Sequence, residues 1–203
     1  VGTWDEAKEN LYTKLAAGSG LSDIEAIEGD GMPAILAESD AFVDLTSPDV
    51  EGRWLDWKQA AGTDADGRLI GYGTDIGPEG ICYRADLFEK AGLPTDREEV
   101  AALLGTWDDY FATGEDFVAA MPKTAWYDSS GGVAQAMLNQ VANPFEADDN
   151  TIDVDNAELQ AVWQTVTDNV DLSTRLSQWS DDWTASFQND GFATMLCPSW
   201  MLG

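Results

Sequence analysis

Apolar residues fall at helical spacing along several stretches of this chain and in short continuous or alternating runs along others. Leu11 and Leu15, with Trp4 and Ala7 or Lys8 a turn or two earlier, predict a helix from Thr3 to about Ala17. Thr3 and Glu6 have capping-box spacing at its start, and Gly18-Ser19-Gly20 closes it. Ser22 to Ile27 alternates and predicts a strand with Ile24, Ala26 and Ile27 toward the core. Glu28-Gly29-Asp30-Gly31 then forms a glycine loop before a short helix with Pro33 in its first turn, the usual place of a ligand loop in an α/β sheet. The competing reading of that loop is a solvated acidic turn. Ala41 to Leu45 reads as extended and Trp54 to Ala60 as a helix.

The middle of the chain carries two apolar runs, Leu69 to Tyr72 and Ile81 to Tyr83, that read as strands. Gly71, Gly73, Gly77, Pro78 and Gly80 lie in or between them. Such a bend passes from one sheet to another or closes an ordinary hairpin; the first alternative leaves room for a cleft. Asp64-Ala65-Asp66-Gly67 looks like the start of a calcium loop, but the third acidic position and the closing glutamate are missing. A hairpin turn entering Leu69 explains it better.

Further on, Ala85 to Ala91 predicts a short helix stopped by Gly92 and Pro94. Thr106 caps a helix to Ala120, with Trp107, Tyr110, Phe111, Phe117 and Val118 as its apolar stripe. Lys123 to Trp126 reads as a strand, with Trp126-Tyr127-Asp128 as the loop at its end. Gly131 to Val141 is helical and Asn143 to Asn150 a loop. Asp155-Asn156 caps a helix to about Val170, with Leu159, Val162, Trp163 and Val166 facing inward. Ser180 opens another short helix, Gly191 to Cys197 is a strand, and Pro198-Ser199-Trp200 begins a last helix. Strands alternating with helices define an α/β chain.

Composition narrows the function. The 203 residues are 44% apolar, so there is enough chain for a real core. Thirty-eight acidic residues against ten basic ones leave a net charge of −28, which repels phosphate backbones and anionic lipids. The absence of histidine removes the commonest general base, histidine triads and most zinc sites. Cys82 and Cys197 are either buried free thiols or one disulfide, and in an exported protein the disulfide is favoured. The chain starts at Val1 without a leader, so it reads as processed or excised from something longer.

Nine tryptophans remain to be explained. Trp163 lies on an apolar stripe and reads as core. Trp126, Trp179, Trp183 and Trp200 stand at strand ends or loops beside Asp or Ser. An indole face next to carboxylates suits a sugar, whose C–H face packs on the ring while its hydroxyls bond the acids. Each of the four is otherwise a partly buried anchor. Carboxylates alone also permit glycoside hydrolysis, with Glu28, Asp30, Asp75, Glu79, Asp128 and Asp181 as candidates. A structural or adhesion domain is the third reading.

Three segments carry a family resemblance: Lys14 to Ile24, Gly67 to Tyr72, and Tyr83 to Pro94. Thr106-Trp107-Asp108-Asp109 and Phe192-Ala193-Thr194-Met195 before Pro198-Ser199-Trp200 extend it. In this order they resemble the extracellular solute-binding proteins of carbohydrate ABC importers, the family of maltose-binding protein. The resemblance implies a periplasmic-binding-protein-like α/β fold of type II, with two hinged lobes closing on a sugar. It assigns residues 1–77 to a partial first lobe and 78–203 to a second, incomplete at its C-terminal end; family members are about twice as long. It implies ligand contacts from Glu28, Asp30, Asp75, Trp126, Asp128, Trp179, Trp183 and Trp200, with no catalytic residue, metal or cofactor. Its implied partners are a carbohydrate and a membrane permease, and its location is extracellular or periplasmic with a lipid anchor. Exposed sheet edges would invite self-association.

Overall fold

The computed structural model describes residues 4–145, 151–153 and 155–202. Contacts divide it into two compact units, Val1–Ile76 and Gly77–Gly203. Among the described residues no helix is long and apolar enough to cross a membrane.

The first unit opens on α1 (Trp4–Ala17). The expected cap, Thr3, lies outside the described residues. Gly18 ends the helix at φ +60°, a conformation that costs glycine little. The Gly18 N–H bonds the Leu15 carbonyl at 3.0 Å and the Ser19 N–H bonds that of Lys14 at 3.3 Å, so two otherwise orphaned carbonyls are used. A 3-10 turn, Gly29–Gly31, leads into α2 (Met32–Leu36) with Pro33 in its first turn, as expected. The short helix α3 (Asp56–Ala60) follows. Leu11, Ile35 and Ile70 form the buried centre, flanked by Tyr12, Leu15, Ile27 and Phe42.

Two expected strands do not form in this unit. Ser22 to Ile27 is irregular, and Ile24 is 89% exposed. Of Leu69 to Tyr72, only Leu69 pairs, in a single antiparallel bridge to Thr63. A strand needs a neighbour for its N–H and C=O groups, and alternation of side chains does not supply one. The turn entering Leu69 does form: the Gly67 N–H bonds the Asp64 carbonyl, and the Asp64 N–H bonds that of Arg68, both at 3.0 Å.

The second unit holds a three-stranded sheet. In chain order its elements are β1 (Glu79–Tyr83), α4 (Ala85–Ala91), α5 (Arg97–Leu103), α6 (Trp107–Ala120) and β2 (Ala125–Tyr127). There follow α7 (Ser130–Leu138), α8 (Ala157–Asp168), α9 (Asp181–Ser186) and β3 (Phe192–Pro198). The strand order is β1-β3-β2. β1 runs antiparallel to β3, with Ile81 opposite Leu196, and β2 runs parallel to β3, with Tyr127 opposite Thr194. Local chemistry starts the helices. Thr106 Oγ1 accepts the Asp109 N–H at 3.1 Å, Asn156 Oδ1 that of Leu159 at 3.0 Å, and Ser180 Oγ that of Trp183 at 3.2 Å. Helix α5 was not expected. Its cap is Asp96, whose carboxylate accepts the N–H groups of Glu98 and Glu99 at 2.9 and 3.2 Å.

The core fills the space between helices and sheet with Phe88, Tyr110, Phe117, Trp126, Val133 and Leu196 among its members. The Tyr110 hydroxyl donates to Thr194 Oγ1 at 2.8 Å, and that hydroxyl donates to the Trp126 carbonyl at 2.7 Å. Helix α6 is thereby tied to both β2 and β3. Trp163 departs from expectation: it is 54% exposed. The inner stripe of α8 runs through Val162 and Val166, four residues apart, and the residue after Val162 is rotated about 100° away from it. Cys82 and Cys197 form a disulfide across the β1–β3 pair, with Cα atoms 5.9 Å apart. Residues 146–150 of the expected Asn143 to Asn150 loop lie outside the described residues.

Candidate functional site

Strands β2 and β3 are parallel, so their carboxyl ends open on the same side of the sheet. Asp128 follows the end of β2, and Ser199-Trp200 follows the end of β3. In α/β sheets this is the side on which ligands sit, because loops leaving strand ends are free to vary. The loop before α9 hangs from the same place. The Thr174 N–H bonds the Tyr127 carbonyl at 3.1 Å, and the Thr174 hydroxyl donates to the Asp128 carbonyl.

That loop delivers Trp179 to the carboxyl end of β3. The Trp179 and Trp200 rings stack, with centroids 5.5 Å apart and planes 25° apart. Trp179 also meets the buried Trp183 ring at 5.0 Å. Trp179 is 63% and Trp200 58% exposed, so each keeps ring surface to solvent. Behind them, the Trp183 indole N–H donates to Asp128 Oδ2 at 2.8 Å, and the Gln178 amide donates to the same oxygen at 3.0 Å. Asp128 is fully buried, and burial raises its pKa above the ordinary carboxylate value, against the pull of Gln178 and Trp183.

Four of the eight expected ligand residues therefore form one cluster: Asp128, Trp179, Trp183 and Trp200. Trp126 does not join it. Its side chain is 0% exposed, packed against Phe88, Tyr110 and Phe117 at 5.3 to 5.5 Å between centroids. It lies inside β2 rather than at the strand's end, so it offers no ring face to a ligand. Gly114 of α6 makes room for it, since a methyl group there would collide with the indole. Asp128 is itself too deeply buried to touch a ligand directly in this conformation; it touches Trp183 and Gln178 instead.

In the first unit, Glu28 and Asp30 line a shallow hollow with Trp4, Lys8 and Tyr12. Lys8 Nζ lies 3.9 Å from Asp30 Oδ2. Loss of surrounding water and the neighbouring Asp30 raise the Glu28 pKa; hydrogen bonding from Trp4 and the Lys8 charge oppose them. Asp75 is exposed, and the Thr74 hydroxyl donates to it at 3.4 Å. Trp4 and Lys8 were missed as companions of Glu28, though four-residue spacing on α1 places them on one face. Gln178 was missed as well, and nothing in its local sequence marks it.

An α/β unit with an aromatic face at the carboxyl ends of parallel strands is an arrangement suited to holding a ligand. The particular family follows from comparison: residues 1–203 match the bacterial extracellular solute-binding proteins, and the chain belongs to that family. Among curated proteins no sequence matches. A solved extracellular solute-binding protein of family 1 is 48% identical, with a TM-score of 0.87 over 100% of this chain and 53% of its own. An ABC transporter associated binding protein from B. animalis subsp. lactis Bl-04, in complex with β-1,6-galactobiose, is 24% identical with a TM-score of 0.73. That match covers 99% of this chain and 50% of the other. The galacto-N-biose/lacto-N-biose I-binding protein of an ABC transporter from Bifidobacterium longum, in complex with lacto-N-biose, is 15% identical. Its TM-score is 0.70 over 98% of this chain and 50% of its own. These last two matches establish the fold alone, which is the periplasmic-binding-protein-like α/β fold expected from the sequence. The chain spans about half the length of these structures.

Proposed function

We propose that this chain is part of the sugar-capturing component of an ABC importer, which hands its ligand to a membrane permease. The observation that carries the reading is the stacked, solvent-facing pair Trp179 and Trp200 at the carboxyl ends of the parallel strands. Flat indole faces take the C–H face of a pyranose without ordering flexible side chains. Two structural neighbours hold disaccharides, β-1,6-galactobiose and lacto-N-biose, and a disaccharide is the size of ligand proposed here. Glu28, Asp30 and Asp75 are the candidate ligand contacts that the first unit offers. Binding needs no cofactor or metal, and the protein releases its ligand unchanged rather than cleaving it. It works outside the cell membrane or in the periplasm, held by a lipid anchor. The open edge of β1, which among the described residues pairs only with β3, is the surface through which copies of the chain would associate.

Calorimetric titration with β-1,6-galactobiose and lacto-N-biose tests the reading. Saturable heat is expected with at least one of them. Trp200→Ala is expected to weaken it about 30-fold, the effect of losing a hot-spot aromatic worth about 2 kcal/mol. Saturable binding that ignores both Trp179→Ala and Trp200→Ala would overturn the assignment of the platform. Hydrolysis of either sugar would overturn the receptor reading itself.

A further inference from the structure

Asp128 is a fully buried acidic side chain. None of the ion pairs among the described residues includes it, and its Oδ1 has no hydrogen-bond partner there. Burying a carboxyl group without an ion-pair partner is costly, and its hydrogen bonds are what offset that cost. Its backbone is fixed, because the Asp128 N–H donates to the Thr194 carbonyl of β3 at 3.2 Å.

What it holds is the segment around Trp179. Gln178, immediately before Trp179, and Trp183, four residues after it, both donate to Asp128 Oδ2. The start of the same loop is held by the Asp128 carbonyl through Thr174. Trp179 itself has φ +69°, a backbone conformation that a bulky residue adopts only when its surroundings enforce it. We propose that Asp128 is a positioning residue: acting through Gln178 and Trp183, it sets the pose in which Trp179 stacks on Trp200. The proposal rests on the sugar-platform reading for its purpose, but the pose itself is measurable without any ligand.

Stacked indoles give an exciton couplet in the far-ultraviolet circular dichroism, and Trp200→Ala identifies the part that comes from this pair, because Trp179 also meets Trp183. Asp128→Ala is expected to reduce that part by about half or more while the helical signal stays. Asp128→Asn is expected to restore it, because the amide oxygen accepts from Trp183 and Gln178 can turn its own oxygen toward the new N–H₂. Gln178→Ala, which leaves the core untouched, is expected to fall between wild type and Asp128→Ala. A full couplet in folded Asp128→Ala would overturn the proposal, as would Asp128→Asn behaving like Asp128→Ala. If Asp128→Ala does not fold, Gln178→Ala decides: a reduced couplet supports the proposal and an unchanged one overturns it. Titration with β-1,6-galactobiose and lacto-N-biose separates the two ideas. Couplet loss in the variants with no sugar heat in the wild type sinks the platform's ligand and leaves the clamp standing; sugar heat with an indifferent couplet does the reverse.

Discussion

The first unit closes over Leu11, Ile35 and Ile70, whereas the second packs a continuous core from Leu87 to Leu196 behind a sheet and a disulfide. Their candidate residues differ in the same way. Glu28, Asp30 and Asp75 are exposed and stand on turns or irregular chain, and the Lys8–Asp30 pair at 3.9 Å is of a kind worth about 0–1 kcal/mol. Asp128 and Trp200 leave the ends of paired strands, and Trp183 is fixed by a buried hydrogen bond. Placement precise enough for ring stacking needs that scaffold; carboxylates that meet hydroxyls tolerate looser support.

Three changes probe this contrast. The largest effect is expected from Phe88→Ala, which empties a site in contact with Trp126 and Phe117. Unfolding of the second unit in denaturant should lose about 3–5 kcal/mol, while the first unit's signal holds. A loss shared equally by both units would erase the contrast. Reduction of Cys82–Cys197 comes next. The bridge joins residues 115 apart in sequence, and removing it should cost the second unit about 2–4 kcal/mol. Thermal unfolding with and without reductant reads the shift.

The smallest change concerns the first unit and pH. Asp64 Oδ1 accepts the N–H groups of Asp66 and Arg68 at 3.0 and 2.9 Å, and Oδ2 accepts from Arg68 Nε at 2.9 Å. These bonds, the Arg68 N–H foremost, hold its pKa down to about 2 from the ordinary 3.8. A lowered folded-state pKa contributes stability above 3.8 that is lost as pH falls through about 2. Asp64→Asn should therefore weaken the first unit at neutral pH, and the gap from wild type should close toward pH 2. A gap that stays constant with pH would mean that the charge does not matter there.

The sequence disclosed what local chemistry decides. Thr106, Asn156 and Ser180 announced their helices because a cap needs only the next three residues. Trp179, Trp183 and Trp200 were legible as a group because each stands beside a strand end or helix start. What failed depended on distant partners. Ser22 to Ile27 has the alternation of a strand but, among the described residues, no neighbour to pair with. Trp126 and Asp128 look alike in sequence as strand-end residues, yet one extra residue of β2 puts the indole inside the core. Trp163 sits one position off the stripe of α8, a rotation that the spacing of Leu159, Val162 and Val166 alone leaves open. Gln178 gains its role only from Asp128, fifty residues away.

On the proposed function, Trp179 and Trp200 meet the ligand while Trp126 serves the core. Indole N–H resonances, assigned by single substitutions and followed during titration with β-1,6-galactobiose and lacto-N-biose, test it directly. Saturable shifts are expected for Trp179 and Trp200, a smaller one for Trp183, and a stationary resonance for Trp126. A titration that moves Trp126 while leaving Trp179 and Trp200 in place would contradict it.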